Sequence, residues 1–424
     1  MLVNVTGGKD DAEMKLFVKE LDEKTGLNVT VEKPANYDTA VVQKLQAGEK
    51  YDLIYMTASQ VPNFVNQGAL KDITSEVKSS SILWDPTNID PQEWKDIEIN
   101  GKIYAGFNKR EVEMVVNVNN AQLKAIGTDY KKITPTLDGY YDIFKKLKSA
   151  NQSVSGYYPF DSCISSLFDI QPWMASAGLK GGIVTKNGKN TVPFASDESA
   201  PVWEWLAKLY REGLMDPNSI ADTTTALRTK LAGEKVTIAV DRATQVGLRN
   251  NEALTAGIPQ DKFQMVSLPG VKTPSGSYML TKGEASLFAV PANAQNVPGA
   301  MKVLEFFATQ AGGNLLSVGE EGYDYTVDAN GKYTLTDIGK KQGLDHGAQF
   351  PISLKYKSPF PHNPGVDEAL SYIKYSSIQQ TSSLNQKYSD IVGKWAVKIV
   401  KGDVQVKAGL ASMRDELKAN GVIS

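Results

Sequence analysis

"YDLIYMTASQVPNFVNQGALKDIT" (residues 51–74) is the stretch whose reading decides the fold. Leu53 and Ile54 are apolar strand formers, and the run ends on the small, hydroxyl-bearing Thr57-Ala58-Ser59. A helix-like stretch with Val61, Phe64 and Val65 follows at once. In open α/β sheets ligands sit beyond the carboxyl ends of the strands, where small side chains leave room and hydroxyls can donate or accept. The same residues also suit an ordinary helix cap, so the flanking segments must decide.

Upstream, "LVNVTGG" (2–8) reads as a strand closed by glycines, and residues 10–26 place Met14, Phe17, Val18 and Leu21 at helical spacing. Residues 27–34 alternate as a second strand, and 36–50 are helical again. Such alternation predicts a parallel sheet with crossover helices. Downstream, residues 101–127 read as a strand pair and a helix start, 137–150 as an amphipathic helix, and 181–196 as a hairpin turning at Asn187-Gly188. A helix over 199–217 opens with Pro201, and a buried strand over 235–245 ends in Asp241-Arg242-Ala243-Thr244. Trp203 and Trp205 on that helix are expected in the core. A helix over 298–313 and two tail helices carry core-facing stripes, among them Tyr388, Ile391, Val392, Trp395 and Ile399. No tandem repeat or low-complexity linker separates the segments, so ordered crossings are expected to join any lobes.

A chain of 424 residues exceeds one ordinary core, which predicts two lobes. Apolar content of 41% with 22% charged residues is that of a globular protein, and a net charge of −2 offers no field for nucleic acid or anionic membranes. Cys163 is the single cysteine, so no internal disulfide forms. His346 and His362 lie far apart without a cysteine cluster, so no metal site of the usual spacing is expected. No run approaches the roughly 18 apolar residues of a membrane span.

Several catalytic signatures are excluded. No two glycines are separated by one residue, Gly-Lys is never followed by Ser or Thr, and no G-x-S-x-G occurs. Residues 328–337 resemble a calcium loop loosely but lack glycine at its sixth position, which favours a hairpin turn at Asn330-Gly331. Paired carboxylates for glycoside hydrolysis (Glu111 and Glu113, Asp241, Glu320 and Glu321) are inevitable by chance among 48 acidic residues. No enzyme and no cofactor is therefore expected.

What remains is aromatic rings beside polar groups, the pairing that suits a sugar's apolar C–H face and its hydroxyls. It recurs in "IYAGFNKRE" (103–111), "YYPFDS" (157–162), "DIQPWMAS" (169–176), "VDRAT" (240–244), "EEGYDYT" (320–326) and "KSPFPHN" (357–363). Trp173, followed by Ala175, Ser176 and Ala177, reads as a large ring with clearance. Asp241 and Arg242 read either as an orienting pair or as a buried ion pair. The candidate ligand residues are Thr57, Ser59, Phe107, Asn108, Arg110, Phe160, Asp161, Trp173, Asp241, Arg242, Tyr323 and Phe360.

In their order, "YDLIYMTAS…FVNQGALKDIT", "GKIYAGF" (101–107), "VVNVNNAQLKAIG" (115–127), "WEWLAKLYREGLMDP" (203–217), "PGAMKVLEFFATQ" (298–310) and "GEEGYDYT" (319–326) resemble the extracellular solute-binding proteins of carbohydrate ABC transporters, family 1, lipoprotein type. The resemblance spans essentially the whole chain. It implies a two-lobed α/β fold of the periplasmic-binding-protein type (type II), with a sugar, expected to be an oligosaccharide, held in a cleft between lobes joined by several hinge crossings. Lobe 1 would take residues 1–117 and 285–350, and lobe 2 residues 118–284 and 351–424. Thr57 to Ser59 would edge one lobe's share of the site, Asp241 and Arg242 the other's, with Trp173 as stacking platform. The implied partners are a carbohydrate and the membrane permease, with no nucleic acid, and the chain acting as a monomer. The resemblance implies an extracellular, lipid-anchored protein (periplasmic in a Gram-negative cell) whose signal peptide and anchoring cysteine are expected to have been trimmed. The rival reading is a surface adhesin or sensor that binds polysaccharide without transport; a glycoside-active enzyme ranks behind it.

Overall fold

A computed structural model describes residues 1–4, 11–167, 169–186, 188–342, 350–379 and 382–424. Seven strands build its two main sheets: β1 (Ile54–Thr57), β2 (Ala105–Phe107), β3 (Met114–Asn119), β4 (Tyr158–Asp161), β5 (Val236–Arg242), β6 (Met265–Leu268) and β7 (Ser286–Ala289). The chain divides into two compact units, one of residues 1–111 and 284–362, the other of 112–283 and 363–424.

In the first unit the order is β1-β7-β2, antiparallel throughout, with Thr57 opposite Ser286 and Leu287 opposite Phe107. Around it, buried Phe17 and Leu21 of the helix Asp11–Thr25 join Val303, Leu304 and Phe307 of the helix Val297–Phe307 in one core. The latter helix starts where Asn296 Oδ1 accepts from the Gly299 N–H at 2.9 Å, with Pro298 in its first turn. The strand expected over 2–8 appears as bridges from Leu2 to Ile54 and to Glu32; residues 5–10 lie outside the described residues.

In the second unit the order is β4-β5-β3-β6, and only β4 and β5 run parallel. The helix Leu137–Ala150 is capped by Thr136 Oγ1, which accepts from the Gly139 N–H at 3.1 Å, and it buries Tyr140, Ile143, Phe144 and Leu147 at the expected spacing. Trp203 and Trp205 are buried on the helix Ala200–Arg211, and their indole N–H groups donate to the Phe194 and Leu137 carbonyls at 2.9 and 3.0 Å. The tail helices Asn385–Lys401 and Val406–Ala419 complete this core, the former ending at Gly402 with φ 84°.

Two expectations are corrected. The sheets are mixed rather than wholly parallel: Leu2 bridges Ile54 and Glu32 in parallel and β4 runs parallel to β5, but the other pairings of the two main sheets are antiparallel. In the first unit the returning chain inserts β7 between β1 and β2, and in the second β3 runs against both its neighbours. The expected breaks after 117, 284 and 350 stand against observed breaks after 111, 283 and 362. β3 pairs wholly with β5 and β6, so it belongs to the second unit. Residues 351–362 stay with the first, where Ile352 is in the core, the Leu354 N–H donates to the Asn88 carbonyl at 2.7 Å, and Ser353 Oγ donates to Asn88 Oδ1 at 2.5 Å.

Candidate functional site

The antiparallel register of the first unit brings the carboxyl ends of β1 and β2 and the amino end of β7 to one edge. Thr57 and Ser59 stand there half-buried, their hydroxyls 3.2 Å apart. The Thr57 N–H donates to Gln60 Oε1 at 3.0 Å, the Ala58 N–H to the Ala285 carbonyl at 2.9 Å, and the Ser59 N–H to the Glu284 carboxylate. Asn108 continues the edge: its backbone N–H and its Nδ2 reach the carbonyl and the hydroxyl of Ser286, each at 3.0 Å. The turn that follows β1 is thus held by its neighbours, which leaves the Thr57 and Ser59 hydroxyls as groups able to donate and accept.

Other candidates of this unit take different places. Phe107 is core, its ring 4.7 Å from that of Trp94. The Arg110 N–H donates to the Phe350 carbonyl at 2.7 Å, and its guanidinium lies 5.9 Å from the Phe350 ring centroid. Tyr323 and Phe360, both half-buried, stand by the hairpin of residues 325–335. The Tyr323 carbonyl accepts from Thr336 Oγ1 at 2.6 Å, and the Phe360 ring meets Tyr333 edge-on at 6.1 Å. Beside this hairpin Glu320 is buried and its carboxyl is pushed up to about 9, first by burial, then by Glu20, Glu13 and Asp324.

In the second unit β4 ends at Asp161 and β5 at Arg242, with Met114 at the start of β3 opposite Arg242. Both aspartates proposed for sugar hydroxyls are fully buried and occupied. Asp241 takes a two-pronged ion pair from Arg228, Nε to Oδ2 and Nη2 to Oδ1, each at 2.7 Å. Its Oδ1 also accepts from the Arg242 N–H at 2.8 Å, so the buried ion pair at this strand end is Asp241 with Arg228, and half-buried Arg242 is a neighbour of it. Asp161 Oδ1 accepts from Ser219 Oγ at 2.6 Å and from the Ser162 N–H at 2.8 Å. Burial raises the Asp161 carboxyl, against the pull of Ser219 and Lys230. Next to it Asp169 accepts from Ser162 Oγ at 2.9 Å, yet full burial pushes it up to about 7.

Trp173 is not a platform. It is 0% exposed and sits among Tyr140, Phe160 and Trp205 at centroid distances of 4.9, 5.5 and 5.3 Å. The space that Ala175 and its small neighbours leave is taken by the core, and Phe160 is core with it.

Partly exposed rings occur elsewhere in this unit, at positions the sequence reading passed over. The two-residue strands Leu280–Thr281 and Ser376–Ser377 pair in parallel and bring Tyr278 to Tyr375, ring centroids 5.2 Å apart at 64°. Tyr372 is close enough to Tyr278, Tyr375 and Tyr130 to feel each of them electrostatically, and the Tyr130 hydroxyl donates to Glu368 at 3.1 and 3.2 Å. Burial and then Glu368 push the Tyr130 and Tyr372 phenols up to about 12, so both keep their protons near neutrality. All four rings are half-buried. The signal was present as "SYM" (277–279) and "SYIKYSS" (371–377), tyrosines spaced by small and polar residues.

A sheet in each of two units, with polar strand ends, defines a class, and sequence comparison specifies it. The chain belongs to the bacterial extracellular solute-binding proteins, whose family profile matches residues 17–317. No curated protein matches it by sequence. Three solved structures share its fold at a TM-score of 0.70. They are an ABC transporter solute-binding protein of Thermotoga lettingae bound with α-D-tagatose (16% identical, 96% of each chain covered) and the alginate-binding protein AlgQ2 without calcium ion (16%, 99% of this chain and 94% of that one). The third is an ABC substrate-binding protein of Listeria monocytogenes in complex with cycloalternan (14%, 99% and 98%). These neighbours are two-lobed solute-binding proteins.

Proposed function

We propose that the protein is the extracellular capture component of a carbohydrate ABC importer, that it binds its sugar as a monomer, and that it hands the sugar unchanged to a membrane permease. The observation that carries the reading is the group of half-exposed tyrosines in the second unit, with Glu368 hydrogen-bonded to one of them. Rings offer faces for pyranose C–H groups, and the phenol and carboxylate oxygens serve hydroxyls. In the first unit the half-buried hydroxyls of Thr57 and Ser59, and separately the Arg110 guanidinium, are polar groups of the kind that serve sugar hydroxyls, whereas Asn108, fully buried on Ser286, is scaffold. Arg242 is such a group in the second. Phe107, Phe160, Asp161, Trp173 and Asp241 are scaffold in this reading. The sugars named for the three neighbours support the ligand class, and the family supports binding over catalysis.

A thermal-shift screen over mono- and oligosaccharides, uronates and peptides tests this, since a ligand of the folded state raises apparent stability. Oligosaccharides are expected to raise the midpoint, and calorimetry should then return micromolar affinity that Tyr375→Ala and Ser59→Ala each weaken. Stabilisation by peptides alone, or reducing ends released during incubation, would sink the reading.

A further inference from the structure

At the end of β4, three carboxylates converge on a single ammonium group. Asp161, Asp216 and Asp222 each bring an oxygen within 4.8 Å of the other two. Lys230, on the helix Thr224–Ala232, places Nζ 3.1 Å from Asp161 Oδ2 and 2.7 Å from Asp216 Oδ2, and pairs with Asp222 as well. Asp161 is fully buried, and its Oδ2 faces the ammonium in ion-pair contact while accepting no hydrogen bond.

The separations are those a divalent cation requires. Calcium binds carboxylate oxygens at about 2.3–2.6 Å, which puts ligand oxygens no more than about 5 Å apart. The lysine ammonium differs in carrying one charge, in presenting three rotatable N–H donors, and in standing farther from Asp161 Oδ2 and Asp216 Oδ2, at 3.1 and 2.7 Å, than calcium would. We propose that the Lys230 ammonium is the resident counter-ion of what is otherwise a divalent-cation site, so that this protein fastens the end of β4 without metal. Three aspartates drawn from β4, from the segment before 217 and from the loop at 222 are tied by a side chain of the helix that follows them. Take away the amine, and the three negative charges are left to a cation from solution. A site of this kind, with part of its shell open to water, suits calcium better than magnesium, which demands a tight octahedron.

The test is a set of melts of the full chain in calcium and in chelator. Wild type is expected to melt at the same temperature in both. Lys230→Ala and Lys230→Gln should melt lower in chelator and regain at least about 3 °C in millimolar calcium. Adding Asp222→Asn to either variant should abolish that gain, which separates this site from calcium bound elsewhere. If Lys230→Ala folds only when calcium is supplied, the result is the same in stronger form. A calcium increment in both lysine variants no larger than that of wild type overturns the proposal. So does failure of Lys230→Ala to fold in either condition, because calcium would then not replace the amine.

Discussion

Glu320 makes the stability of the protein depend on pH in a window where few other groups act. The residue is 3% exposed, and its carboxyl is raised to about 9 by burial and by the neighbouring Glu20, Glu13 and Asp324. In the unfolded chain a glutamate titrates near 4.3. A carboxyl raised on folding contributes stability that is complete below its unfolded value and is lost as pH rises through its folded value. Between those limits the native state holds one proton more than the unfolded state, so unfolding free energy falls by about 1.4 kcal/mol per pH unit. Asp169, raised to about 7, adds its share mainly below that pH and a diminishing one up to pH 8, a contribution common to wild type and to a variant at Glu320. The Met1 amine is lowered by burial and acts in the opposite sense, which makes the comparison with Glu320→Gln necessary. Glutamine keeps a donor for the hydrogen bond to Glu20 and has no proton to lose. Urea unfolding at pH 7 and pH 8 should show wild type losing about 1.4 kcal/mol more than Glu320→Gln. Equal losses in the two proteins would refute the argument, because they would mean that Glu320 is already ionised in the native state.

Trp173→Ala should cost about 3–5 kcal/mol of stability by emptying the Tyr140–Phe160–Trp205 cluster, read as a lowered urea midpoint. Arg228→Ala strands the buried Asp241 charge and should cost about 3–5 kcal/mol, whereas Arg228→Ala combined with Asp241→Asn should recover a large part of it. Tyr278→Ala and Tyr375→Ala should weaken oligosaccharide binding about tenfold or more, measured by calorimetry, with melting temperatures close to wild type.

The helices were readable from spacing alone where one face is core. Tyr140, Ile143, Phe144 and Leu147, and likewise Tyr388, Ile391, Val392 and Ile399, fall where a 3.6-residue period puts them. β1 was readable as a strand, but its partners were not, because β7 comes from a distant part of the chain and periodicity carries no information on which strand lies alongside. The same limit governed the site. Asp241 beside Arg242 suggested a pair, while the charge that meets it is Arg228, on a helix that precedes the strand. Trp173 followed by small residues is compatible with an open ring or a crowded one, and only the rings around it decide. Tyr278 and Tyr375 become neighbours through a two-residue strand pairing that no local pattern announces.

The central position of β7 has a consequence for biogenesis. β1 and β2 emerge from the ribosome early, but the strand that must lie between them comes about 180 residues after Phe107. At roughly 5–20 residues per second, translation leaves both with unpaired edges for about 10–35 s. During that interval the amino-terminal part is a folding debtor exposed to mispairing, so holdase chaperones or a secretion channel that keeps the polypeptide extended should serve this half of the molecule more than the other.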